Sequence, residues 1–129
     1  MHDDDNGIAT IWTAVIAGAC LLMVGLVLDG GTILRARSTS YDLAGGAARL
    51  ATQQLDQAAL ARGEVIIDPD AGRNAAITWL ADRDATGTVT VDDDTVTVTV
   101  RRQVDLQILQ PVSVEVEETA TAQARRGGI

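Results

Sequence analysis

The chain's 129 residues carry 18 acidic and 10 basic side chains, for a net charge of −8, and every basic residue is an arginine. That length holds one small domain beside an anchor, and the acidic balance excludes a nucleic-acid reader, because phosphate binding needs a basic face. With no Phe, two Trp and one Tyr there is no aromatic stacking site, and with Cys20 as the single cysteine there is no disulfide within the chain and no ligand set for structural zinc.

Residues 1–7 read as a short acidic tail containing His2, Asp3, Asp4 and Asp5. From Ile8 to Leu28 the chain has no charge and no proline. About 20 apolar residues cross a hydrocarbon core of ~30 Å as a helix, and a helix satisfies its own backbone in lipid. Residues 8–28 are therefore expected to form a transmembrane helix. The alternatives fit less well: so short a chain could hardly surround a buried helix on all sides, and a cleaved secretory signal opens on basic residues and has a shorter apolar core. Ala14, Gly18 and Gly25 are small residues within the span, and Ala14 and Gly18 stand four apart. Such spacing lets two membrane helices approach closely, which makes these three residues candidates for helix–helix packing. Trp12 suits a place at the membrane–water boundary.

Asp29 follows the span, either as an acid at the helix end or as a buried functional carboxylate; Gly30 and Gly31 either stop the helix or form a joint in it. Helical patterning then resumes over residues 29–63. Leu34, Tyr41, Ala44, Ala48, Ala51, Leu55 and Ala58 recur at heptad-like spacing and predict a seam of mostly small residues, widened by Leu43, Ala47 and Leu50. Gly45 and Gly46 inside it mark a kink or a close contact. A helix from Ile8 to about Arg62 would be a rod of about 80 Å, closed by Gly63.

Residues 64–129 are expected to form a small α+β unit. Asp68-Pro69 is a helix start, with Asp as N-cap and Pro at the first helical position, and predicts a second helix over 69–82. Ala76, Trp79, Leu80 and Arg83 lie along one side of it, which would pack Trp79 on a sheet. Strict alternation in Thr88-Val89-Thr90-Val91 and from Thr95 to Val100 predicts a β-hairpin. The linking Asp92-Asp93-Asp94 is read as a solvated turn, with calcium as the alternative; a calcium loop needs ligands at alternate positions and a bidentate Glu. Val104, Leu106, Ile108 and Leu109 form a looser apolar stretch up to Pro111. A third strand then alternates Val112, Val114 and Val116 with polar residues and extends through Ala120, Ala122 and Ala124. The fold class expected is thus α+β: a long N-terminal transmembrane helix continuing into an amphipathic one, packed with a second short helix and a small antiparallel sheet.

No catalytic constellation is present, since His2 and Cys20 lie in the tail and the span. The glycine-rich stretches lack phosphate-loop spacing. No catalytic residue, cofactor or metal is expected, and the chain is expected not to be an enzyme.

This order of elements is the layout of pilin-like proteins. More closely, Gly7-Ile8-Ala9-Thr10-Ile11-Trp12 resembles the Gly-Ser-Ala-Thr-Val-Trp opening of actinobacterial TadE-like proteins. Asp29-Gly30-Gly31, Arg35 and Arg37, then Asp42, Ala44 and Ala47-Ala48-Arg49 resemble the D-x-G…R…D-x-A-A-x-A pattern of TadE/TadG-like proteins, and Thr119 to Ala124 resembles their alternating small-residue strand. The resemblance implies a minor pilin or pseudopilin-like component of a tight-adherence (Flp/Tad) pilus or related secretion machine. Its partners would be membrane lipid, other pilin-like subunits in a homo- or hetero-oligomer, and platform proteins. Gly7 would be the candidate processing site, but Trp12 stands where processed pilins carry Glu, and retention of the acidic tail is the expectation. Arg35 and Arg37 after the span, with no Arg or Lys before it, would place the C-terminal part in the cytoplasm. The resemblance implies a single-pass protein of the cell membrane with its domain outside the cytoplasm, and that is the orientation expected. The rivals are a membrane-anchored extracytoplasmic binding module outside any pilus and a cytoplasm-facing regulator of a membrane complex.

Overall fold

The computed structural model describes residues 3–108 and 112–125. Its first element, α1 (Asp3–Ala51), is a single helix of 49 residues that carries the apolar run straight into the amphipathic stretch. At 1.5 Å per residue it is a rod of about 73 Å. Gly30-Gly31 neither stops nor divides it, and Gly45-Gly46 lies within it too. One of the latter pair is needed for a contact: a Cβ on Gly46 would come within 2.5 Å of the Trp79 ring, whereas a Cβ on Gly45 would meet open space.

The helix ends at Ala51 and not near Arg62, because a better set of hydrogen bonds starts there. Asp56 is an N-cap whose Oδ1 accepts from the N–H groups of Ala58 and Ala59 at 2.8 and 3.0 Å. It thereby opens a separate short helix, α2 (Gln57–Ala61). Leu55 is lifted out of the expected seam and pairs with Ile67 in an isolated β-bridge. Gly63, at φ 82°, closes α2 instead of the long rod. The next helix, α3 (Pro69–Ala81), begins as expected at Asp68, whose side chain accepts from the N–H groups of Asp70 and Ala71.

Strands β1 (Thr86–Asp92), β2 (Thr95–Asp105) and β3 (Ser113–Gln123) form an antiparallel sheet in that order. Asp92 pairs with Thr95, so Asp93 and Asp94 alone make the turn, Asp93 at φ 49°. The aspartates there serve the fold. The Asp93 carbonyl accepts the Ile67 N–H, and the Asp94 carboxylate accepts from Thr95 Oγ1 and Gln123 Nε2.

Both α1 and α3 lie on one face of the sheet. Val96, Val98 and Val100 of β2 and Ala120 of β3 meet Ala44, Ala47, Ala48 and Ala51 of α1, with Ile67, Ala76, Leu80 and Ala85 completing the core. Trp79 packs against the shared core and meets α1 at Gly46, and Arg83 stacks over its ring at 3.8 Å from the centroid. The opposite sheet face is polar: Thr99 pairs with Thr119 and Thr97 with Thr121 across β2 and β3. Beside them Arg101 Nε donates to Glu117 at 2.6 Å, and that partner holds the guanidinium pKa above its usual value. The molecule is thus α+β, with a long apolar N-terminal helix, short helices and a three-stranded antiparallel sheet. Leu109 and Pro111, the end of the looser apolar stretch, lie outside the described residues, as does the chain beyond Arg125.

Candidate functional site

The feature that calls for a function is the N-terminal part of α1. A large apolar side chain needs an apolar surrounding, and the described residues supply little here: Ile11, Val15, Ile16, Leu21, Leu22, Leu26 and Val27 are all more than half exposed. The segment is long and apolar enough to cross a membrane. Its polar atoms suit such a medium, because Thr13 Oγ1 donates back to the Ala9 carbonyl at 2.8 Å and Thr32 Oγ1 to that of Leu28 at 3.0 Å. A hydroxyl that bonds its own helix carries no unmet donor into lipid.

Of the small residues proposed for helix packing, Ala14 and Gly18 remain on the uncovered part of α1, and nothing lies within 4 Å of where a Gly18 Cβ would be. Gly25 is different. It is buried, and Ile108 from the β2–β3 connection sits so close that a Cβ there would be 2.8 Å from Ile108 Cγ2. Ala44, Ala48 and Ala51 are fully buried against the chain's own sheet and α3, so their packing partners lie within the molecule. Tyr41 and Leu34 turn away from the sheet, at 57% and 69% exposure. Leu55 is off the helix. Gly7 lies inside α1, exposed, so the acidic residue Asp5 and the apolar run belong to one helix.

The stripe of α1 that faces the domain is Gly25, Asp29, Ile33, Ala36, Ser40, Ala44, Ala47 and Ala51, all buried or half-buried. Its steps of four, four and three repeat every 11 residues, close to the 3.67 per turn of a nearly straight helix. The heptad-like reading coincides with it near Ala44 and Ala51 and departs at Tyr41 and Leu34. Arg37 of α1 lies 4.0 Å from Glu118 of β3, a partly exposed ion pair that marks the flank of the stripe.

Asp29 is the residue whose role is revised most. It is not an exposed acid at a helix end: it is 3% exposed, and its Oδ1 accepts from the N–H groups of Gln107 and Ile108 at 3.2 and 3.3 Å. Sequence reading missed Ile108 as its partner; the looseness of the apolar stretch after Val104 was the available signal. Among the described residues, no group of three or more His, Cys, Asp or Glu is placed to hold a metal. Comparison of the chain with family models, with curated proteins and with solved structures finds no match.

Proposed function

We propose that the chain is a single-pass, membrane-anchored assembly subunit, a minor pilin or pseudopilin-like component of a tight-adherence pilus or related secretion machine. The observation that carries this reading is the division of labour along α1. One continuous helix gives its second half to a helix-on-sheet domain and leaves its first half bare, apolar and long enough to span a bilayer. Such a helix anchors the domain and offers a lateral packing surface to other apolar helices. The resemblance of the opening residues and of the Asp29 to Arg49 pattern to TadE/TadG-like proteins supports the same assignment. Activity is then assembly, and the orientation proposed places the domain outside the cytoplasm.

Association through the bare half should depend on Ala14 and Gly18, where backbones can approach. Gly18→Leu is expected to lower the yield of crosslinked oligomer in native membranes far more than Leu22→Ala. Equal yields for the two variants would reject this face. A protein that remains monomeric in its own membranes and recovers no pilus or secretion component on purification would reject the assembly reading and leave an anchored binding module.

A further inference from the structure

Between β2 and β3 the chain leaves the sheet at Asp105 and reaches back to α1, below the domain. Leu106 is buried at 6%, whereas Ile108 and Val112 stand half exposed at 53% and 51%. Ile108 covers Gly25, and together with Leu22 and Leu26 these residues line one apolar cleft of about 250 Å³. The uncharged run of α1 ends at Leu28. Gly25 is three residues inside that end, or about 4.5 Å along the axis. That run is about 31 Å long, barely the thickness of a hydrocarbon core of ~30 Å, so none of it can be spared for water. Whatever medium surrounds Leu22 and Leu26 therefore also surrounds Ile108.

An irregular loop at that depth has a specific problem, because backbone N–H groups without partners cost several kcal/mol each in hydrocarbon. For Gln107 and Ile108, Asp29 meets it by accepting from both N–H groups. The converse holds as well, since the loop buries a carboxylate that would otherwise stand at the edge of the lipid. Arg35, the next charged residue along α1, is about 9 Å beyond Asp29, at the level where headgroups begin.

We infer that residues 106–108, where the chain leaves β2, are a second membrane-contacting element, which seats Ile108 among lipid acyl chains at the domain end of the span and is clasped to α1 by Asp29. The occupant of this surface is the bilayer, because Ile108 forms one apolar surface with Leu22 and Leu26 of the span. The inference rests on α1 crossing the membrane, and the test separates the two. Three single-cysteine proteins serve: the native chain with Cys20; Cys20→Ser with Ile108→Cys; and Cys20→Ser with Thr119→Cys on the polar sheet face. Each is labelled with an environment-sensitive fluorophore and reconstituted into phosphatidylcholine vesicles, and quenching by lipid brominated at shallow or deep positions is compared with quenching by aqueous iodide.

Lipid quenching at Cys20 is expected, together with lipid quenching at position 108 and iodide quenching there several-fold weaker than at position 119. Asp29→Ala should raise iodide quenching at position 108 to the level of position 119 and leave Cys20 unchanged. If position 108 behaves like position 119 while Cys20 is lipid-quenched, the loop inference fails and the span stands. If Cys20 escapes lipid, both fail. Protection of position 108 from both quenchers would mean that a second helix covers Gly25, and would overturn the lipid assignment. An unchanged signal in Asp29→Ala would overturn the clasp.

Discussion

Before Gly25, α1 shows large side chains on every side; Ile11, Trp12, Leu21 and Leu22 are each more than 60% exposed. After it, the same helix shows the sheet a stripe made mostly of alanines, with Ser40 at 0% exposure and Ile33 half-buried, and turns Leu34 and Tyr41 outward. The backbone ladder is continuous through both halves, so hydrogen bonding does not define where the domain begins. Side-chain size does. A sheet carrying valines can come down on a helix only where that helix is small, because interiors are close-packed and an added methylene is felt. Where α1 is large all round, its side chains stay exposed among the described residues, and its apolar surface requires a surrounding from outside.

The contrast can be broken most severely at Ala48. Ala48→Pro removes a helix hydrogen bond and inserts a ring at a fully buried position beside the stripe, and is expected to cost about 3 kcal/mol or more. In detergent its sheet should melt at a much lower temperature by circular dichroism, whereas Leu21→Ala should leave the same transition in place. An unaltered transition in Ala48→Pro would mean that the helix does not hold the sheet.

Smaller and opposite effects are expected from neighbouring glycines. Gly46→Ala forces Trp79 away and should lower stability by about 1–3 kcal/mol. Gly45→Ala, with open space for its Cβ, should raise it by about 0.5–1 kcal/mol through helix propensity alone. Chemical unfolding of the two variants side by side gives the sign of each; the same sign for both would refute the Trp79 contact.

A single-atom deletion tests the stripe itself. Ser40 is fully buried, and its Oγ has no hydrogen-bond partner among the described residues. Removing an unmet polar atom should be neutral to favourable, so Ser40→Ala is expected to gain about 1 kcal/mol in the same measurement. A loss would show that the hydroxyl is bonded in solution.

Much of this was legible one residue type at a time. The uncharged run from Ile8 to Leu28 announces an apolar helix, Asp68-Pro69 starts α3, and the Val-Thr alternation specifies strands with an inner and an outer face. The seam was legible only in part. Leu34 and Tyr41 fit a heptad on paper, but the stripe follows an 11-residue repeat, 3.67 residues per turn and so close to the helix's own 3.6. The end of α1 was hidden because Leu55 and Ala58 continue the apolar pattern, while the N-cap bonds of Asp56 and the bridge from Leu55 to Ile67 break it. Of the residues put forward for packing between helices, Ala14 and Gly18 remain open to a partner and Gly25, Ala44, Ala48 and Ala51 are taken within the chain. Nothing local distinguishes these cases, since each is a small residue on a helix.

Local chemistry by itself determined the elements: which segments are helical, where caps and turns fall, and that one helix carries an apolar surface too large for this chain to cover. Those follow from period, side-chain charge and backbone preference, which act within a few residues. Only the tertiary structure decided which face of α1 meets the sheet, that Trp79 needs Gly46, and that Asp29 holds the backbone of Gln107 and Ile108. Those contacts join residues some 30 to 80 positions apart. They are selected by shape and by the need to pair buried polar groups, a selection made only once the sheet and the helix lie against each other.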